Sequence, residues 1–275
     1  MLRCGPYSFD LGHPLVMGIV NLTPDSFSGD GVVDSVRRAV EHARQQLDAG
    51  ADILDIGAES SRPGAIPTPE NEELRRLIPV LQEVTTWGVP ISVDTYKPGV
   101  MRAALDVGAT MINDITGMTN PLALEVVASS DCAVCVMHMQ GVPGTMQQAP
   151  DYKDVVGEVR DYLAAAVNRC REAGVEDERL IVDPGFGFGK DLNHNLALFS
   201  GLTAASVDYL PVLVGVSRKS MLGAITGRSV EQRLAASLAG ALIAAQKGAK
   251  ILRVHDVAAT CDALAVWSAI ERGNV

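Results

Sequence analysis

The stretch Leu180-Ile-Val-Asp-Pro-Gly-Phe-Gly-Phe-Gly-Lys190 decides how the chain is read. Three apolar residues, 180–182, have the pattern of a buried strand. The strand ends on the carboxylate of Asp183. Three glycines then alternate with two phenylalanines before a lysine. Glycines so placed let backbone approach a ligand closely and take positive φ. Asp followed by Pro also suits a helix N-cap and first turn, but three glycines in five residues would ruin that turn. A P-loop is excluded, because the order is wrong and Asp191 stands where Ser or Thr must hold the metal. A carboxylate, a close-approach loop and flat aromatic faces suggest a site for a planar, nitrogen-rich ligand.

Working outward, the unit of apolar run, polar end, loop and amphipathic helix recurs along the chain. The apolar runs are 15–20, 52–56, 90–93, 110–112, 133–137, 180–182, 211–216 and 250–254. Helical patterns cover 34–49, 71–86, 99–107, 121–129, 152–173, 195–201, 229–247 and 258–270. Gly50-Ala51, Gly108-Ala109 and Gly248-Ala249 each place a glycine after a helix, where the left-handed C′ conformation stops it. Near-continuous apolar strands alternating with helices mean a parallel sheet covered on both faces. Eight units predict a (β/α)₈ TIM barrel, α/β in class, as one domain over 1–275. An open doubly wound sheet is the alternative, against which no strand-to-helix turn carries G-x-G-x-x-G. Residues before Leu15 form a short N-terminal extension expected to cap the barrel bottom.

The chain has 275 residues, 47% of them hydrophobic, enough for a sizeable core. A net charge of −10 argues against nucleic acid and anionic membranes as partners. No apolar run reaches bilayer length, and residues 1–12 lack a basic segment followed by an apolar one. A cytoplasmic location is expected. Cys132 and Cys135 form a C-x-x-C pattern, but in a strand the two point to opposite faces, so buried thiols are expected rather than a redox or metal pair.

In such a barrel the strand C-terminal ends face one mouth. Here all eight finish on polar groups. Asn21 could ligate a hard cation through its amide oxygen, or could be a turn residue. Arg62 offers a planar fork suited to phosphate, or could be a solvated surface arginine. Asp94, Asn113 and Asp183 converge from three strands. Paired carboxylates can mean glycoside hydrolysis, yet a neutral sugar would not require the cations also present. Ser217, Arg218, Lys219 and Ser220 follow the seventh run, where a short helix starting near Ser220 would present free N–H groups to an anion. Arg253 and His255 share a face. The mouth is thus expected to hold two cationic regions, one in the loop after the seventh strand and one of Arg253, His255 and Arg62. His138 is expected to be packed.

These residues lie in the segments MGIVNLTPDSFS (17–28), GAESSRPGA (57–65), SVDTYKP (92–98), INDITG (112–117), MHMQG (137–141), DPGFGFGK (183–190), GVSRKSMLG (215–223) and RVHDV (253–257). In this order, over nearly the whole chain, they resemble the signature blocks of the dihydropteroate synthase family. The resemblance implies a folate-pathway transferase that joins 4-aminobenzoate to (7,8-dihydropterin-6-yl)methyl diphosphate. By motif it implies that Asp94, Asn113, Asp183 and Lys219 bind the pterin, with Arg253 stacked on its face. Asn21 would bind Mg²⁺, the implied cofactor. Arg62, His255 and Arg253 would hold diphosphate. Phe27, Ser61, Pro63, Phe188, Ser217 and Ser220 would border the aminobenzoate. Asp94, Lys219 and Arg253 are the expected catalytic groups, and a homodimer is expected. There are two departures from the usual pattern: Gly29-Asp30 stands in reversed order, which leaves the roles of Asp30 and Asp34 open, and Ser61 replaces a common threonine.

The dihydropterin can support a cation at its methylene, so ionisation before amine attack is expected, with Mg²⁺ and the cations neutralising diphosphate. Two alternatives remain. Pterin barrels that transfer a methyl group to a corrinoid protein need the pterin acids but not the Ser-Arg-Lys-Ser loop. A non-catalytic pterin-binding paralogue should show damage in the mouth loops.

Overall fold

The computed structural model of the chain describes residues 1–22, 32–62 and 64–272. Eight parallel strands form the sheet: β3 (Leu15–Asn21), β4 (Ile53–Gly57), β5 (Ile91–Asp94), β6 (Met111–Asp114), β7 (Ala133–Met137), β8 (Leu180–Asp183), β9 (Leu213–Val214) and β10 (Ile251–Val254). Their order is β8-β7-β6-β5-β4-β3-β10-β9. The sheet closes between β8 and β9, where Val182 bridges Val212 and its N–H donates to Pro211 O at 3.0 Å. The result is a (β/α)₈ TIM barrel.

The helices are α1 (Val32–Asp48), α2 (Glu70–Val84), α3 (Pro98–Asp106), α4 (Pro121–Ala128), α5 (Val155–Glu172), α6 (Leu192–Ser200), α7 (Ser220–Thr226), α8 (Leu234–Gln246) and α9 (Val257–Arg272). Several begin where a side chain caps them. Asp154 accepts from Gly157 N, so α5 starts three residues later than its apolar pattern. Asp191 and His194 form a capping box, so α6 starts three residues earlier than expected. The expected helix 229–247 is broken: a 3₁₀ turn spans Val230–Gln232, and α8 begins only after Arg233. Arg233 leaves the helical conformation and its guanidinium donates to Arg228 O and Arg218 O. Strand β9 is shorter than the run 211–216, because Pro211 has no N–H and the chain already turns at Val216, whose carbonyl accepts from Lys219 N. Gly50, Gly108 and Gly248 have positive φ, as the helix stops require.

Side chains alternate across each strand, and the two sides have different jobs. Outward residues pack on the helices. Inward residues fill the barrel: Leu15, Met17, Ile53, Met111, Ala133, Cys135, Ile181, Leu213 and Ile251 form one buried cluster. Leu2 and Cys4 join it from the hairpin of β1 (Leu2–Cys4) and β2 (Tyr7–Phe9), which plugs the bottom. Cys132 belongs to the outer cluster and Cys135 to the inner one, on opposite faces. One step up β4, β5, β6, β8 and β10, the inward positions turn polar. This layer is the floor of the mouth.

Candidate active site

Two residues above the apolar filling stand Asp55 on β4, Asp94 on β5, Asn113 on β6, Asp183 on β8 and Arg253 on β10. Asp94 and Asn113 are directly in register, as are Asp55 and Ser92. The register brings the carboxylates onto one guanidinium. Arg253 Nε donates to Asp55 Oδ2 at 2.6 Å and Nη2 to Asp94 Oδ2 at 2.8 Å. Ser92 Oγ donates to Asp55 Oδ1 at 2.6 Å. Burial opposes the charge on Arg253, but Asp55 and Asp94 more than offset it and hold the guanidinium protonated. Asp94 is pushed up to about 7, first by burial, with Arg253 pulling it down and Asp55, Glu73 and Asp114 pushing it up. Arg253 is therefore not a bare cation; its donors are shared with two acids.

Asp55 was not singled out in the sequence. A charged residue inside the apolar run 52–56, in phase with Ile53, carried the signal: in a closed barrel it must point inward, and an inward acid needs a partner.

Asn113 is buried, and its Oδ1 has no hydrogen-bond partner. A buried acceptor left unpaired costs about 1–3 kcal/mol, which marks it as a group aimed at a ligand. Asp183 Oδ1 accepts from Gly185 N at 2.7 Å. Burial raises Asp183, while Lys219, the Gly185 N–H and Arg253 pull it back. Lys219 is pushed down to about 8 by burial, opposed by Asp183.

The loop after β8 separates its two aromatic rings. Phe186 is fully buried and packs on Phe199, with ring centroids 5.1 Å apart. Phe188 is half-buried and lies 4.7 Å from the Lys219 ammonium, which also donates to Phe186 O. Only one of the two phenylalanines thus presents a face at the mouth. Gly185, Gly187 and Gly189 all have positive φ. A Cβ on Gly185 would collide with His138 O, and one on Gly189 with Gln140 O. Asp183 closes a strand and caps no helix. His138 is buried, packed edge-on to Tyr162 at 4.8 Å, as expected.

After β9 the chain makes a strained turn. Arg218 takes φ +58°, a conformation costing a non-glycine residue about 1–2 kcal/mol. Three contacts hold it: Arg218 N donates to Ser237 Oγ, its guanidinium pairs with Asp256 at 2.5 and 3.0 Å, and Arg233 donates to its carbonyl. The turn aims Lys219 into the barrel and starts α7 at Ser220, where the sequence places a helix. The pairing with Asp256 corrects the expected cationic region here: Lys219 remains, while Arg218 is neutralised.

Ser217 turns its hydroxyl to His255. It is buried, its Oγ accepts from His255 N at 3.2 Å, and it lies 3.1 Å from His255 Nδ1. Burial depresses His255 to about 4, aided by Arg253, Arg218 and Arg62. His255 is therefore neutral at pH 7 and offers an N–H, not the expected charge. Arg62 is exposed, in the loop after β4 that also holds half-buried Ser61. Lys97 bridges Glu59 and Glu73 at the stem of that loop, with Tyr96 OH donating to Glu59 at 2.8 Å. Asn21 ends β3 in register with Gly57, half-buried at the mouth. Phe27, Asp30 and Pro63 lie outside the described residues, as does the side chain of Asp34. Among the described residues no group of three or more His, Cys, Asp or Glu converges to hold a metal ion.

The chain matches the pterin binding enzyme family over residues 17–255. It is 51% identical to the dihydropteroate synthase of Escherichia coli (strain K12) over 263 residues, which cover 95% of this chain and 93% of the relative. The chain belongs to the dihydropteroate synthase family. Solved dihydropteroate synthases agree in fold. That of Burkholderia cenocepacia, complexed with 7,8-dihydropteroate, superposes with a TM-score of 0.91 at 48% identity, covering 99% of this chain and 96% of the other. That of Xanthomonas albilineans with 4-aminobenzoic acid gives 0.90 at 49%, covering 96% and 95%. As a dihydropteroate synthase, the chain is a transferase of folate biosynthesis that condenses 4-aminobenzoate with (7,8-dihydropterin-6-yl)methyl diphosphate to 7,8-dihydropteroate and diphosphate. Among the described residues no helix is long and apolar enough to cross a membrane.

Proposed function

We propose that the inward layer of Asp94, Asn113, Asp183, Lys219 and Arg253 binds the pterin and ionises its methylene C–O bond before the amine attacks. The orphaned, buried Asn113 Oδ1, in register with Asp94, carries this reading. Asp183 and Asn113 supply acceptors for the donor edge of the aminopyrimidine. Arg253, held by Asp55 and Asp94, lies flat against the ring and reaches diphosphate. The C–O electrons leave with diphosphate, which Arg62, Arg253 and the His255 N–H receive. Asp94 stands by the cationic carbon. The aniline nitrogen then forms the new C–N bond and loses a proton. Ser61, Phe188 and Ser220, with Phe27 and Pro63, border 4-aminobenzoate, Phe188 giving a flat face. Ser217 acts through His255 rather than on the carboxylate.

Mg²⁺ is the proposed cofactor, held by Asn21. The donor set there is one amide oxygen, which suits a hard cation that arrives with diphosphate oxygens and keeps water. When bound, the ion supplies charge neutralisation to the leaving group.

A homodimer and a cytoplasmic location complete the reading. Ile225 on α7, Leu234 and Ile243 on α8, and Val266 and Ile270 on α9 are exposed apolar side chains on adjacent helices, the kind of patch a second copy covers. Sedimentation at micromolar concentration tests it, and a monomer would remove the assignment.

Diphosphate release with and without 4-aminobenzoate tests the ionisation. Isotopic exchange between diphosphate and the pterin substrate without aminobenzoate supports it; release strictly dependent on aminobenzoate, with no exchange, favours direct displacement. The methyl-transfer alternative gains nothing from Lys219 and Arg62.

A further inference from the structure

Lys190 is buried, and the function described above does not use it. Its ammonium donates to Gly185 O at 2.9 Å, to Phe188 O at 3.0 Å and to His138 Nδ1 at 2.8 Å. A protonated lysine has three donors, and all three are spent inside the loop it terminates and on His138, just past the end of β7; burial pushes Lys190 down to about 7, with the Asp183 carboxylate opposing the shift. His138 can accept because burial pushes it down to about 3, leaving the imidazole neutral. The rest of the loop is held from outside: Tyr152 OH donates to Gly189 O at 2.8 Å, and Asn195 Oδ1 accepts from Gly187 N at 2.8 Å. Gln147 Nε2 donates to Gly187 O, and Lys219 donates to Phe186 O. Two lysines therefore share one loop, Lys190 from within and Lys219 from the mouth.

The loop backbone cannot hold this shape unaided. Three positive-φ glycines in five residues leave it free to take many others. Carbonyls turned inward and buried need donors. We infer that Lys190 is a positioning residue: its ammonium is the internal template on which residues 185–190 fold, and through their carbonyls it sets the Phe188 ring and the Lys219 ammonium for 4-aminobenzoate. The inference rests on the proposed contact of Phe188 with aminobenzoate.

The test is steady-state kinetics of Lys190→Met beside His138→Gln and Phe188→Ala, with Mg-diphosphate affinity measured calorimetrically on each. The diphosphate groups come from the end of β3, the loop after β4, and β10 with the residue just past it, and none of them belongs to this loop. The expected result for Lys190→Met is a KM for 4-aminobenzoate raised about tenfold or more, with diphosphate affinity within about twofold of the parent. His138→Gln, which keeps an acceptor, should shift KM in the same direction but less. A parallel loss of both affinities would show a merely structural role and overturn the inference, as would an unchanged KM. If Lys190→Met does not fold, His138→Gln decides by the same two readouts. If Phe188→Ala leaves KM unchanged while Lys190→Met raises it, the reading of Phe188 fails and Lys190 acts through Lys219 alone.

Discussion

Arg253 donates from Nε to Asp55 Oδ2 at 2.6 Å, and the carboxylate that receives it is wholly shut from solvent. Asp55 therefore touches no substrate in the proposed reading but decides where the guanidinium points. Asp55→Ala leaves Arg253 with one acid and Ser92 without its acceptor. Breaking a buried pair costs roughly 3–5 kcal/mol. Denaturant unfolding should show a loss in that range, and a change below about 1 kcal/mol would mean the pair is dispensable.

Asp94 governs the acid side of the pH profile. With its carboxyl pushed up to about 7, it protonates as pH falls below neutrality. If the ionised form stabilises the cation, kcat/KM should drop along that limb. Asp55→Asn removes a neighbouring negative charge, so the limb should move to lower pH. A limb that stays in place or moves upward would exclude Asp94 as its origin. For stability the sign is opposite: folding favours protonated Asp94, so its contribution is complete below the ordinary carboxylate range and fades as pH rises through about 7.

Asp183 should set pterin affinity. Its loss leaves paired N–H donors of the ligand without acceptors in a buried pocket, at a cost of about 2–5 kcal/mol. Asp183→Ala should lose pterin binding in a calorimetric titration while the far-ultraviolet circular dichroism is retained. Near-parent affinity would remove it from the site.

Chelation should abolish turnover without unfolding the protein, and Asn21→Ala should raise the Mg²⁺ concentration needed for half-maximal rate. Full activity in excess chelator would end the metal proposal.

4-Aminobenzoate should bind free protein poorly and bind well once a pterin and Mg-diphosphate are present. Asp94, Asn113 and Asp183 sit on strand ends, whereas Ser61 belongs to a connecting loop that closure would assemble. Sulfonamides present the same aniline edge and should follow the same order. Equal affinities with and without the first ligands would refute ordered assembly.

Eight apolar runs, their polar ends and the helix-stopping glycines are properties of short stretches, and so the barrel and its mouth could be read without coordinates. The same holds for Asp94, Asn113 and Asp183, each closing its own run. The partner of a side chain is a different kind of fact. Asp55 and Arg253 lie 198 residues apart and Asp94 and Arg253 159 apart. Only the strand register and barrel closure make them neighbours. Closure likewise turned Arg218 onto Asp256, Ser217 onto His255 and Phe186 into the core, leaving His255 neutral and Lys219 the cation of its loop. Sequence determined which residues reach the mouth, because strand alternation is local. Tertiary structure decided which charges survive there, because burial and distance between remote strands set each group's partner and its proton.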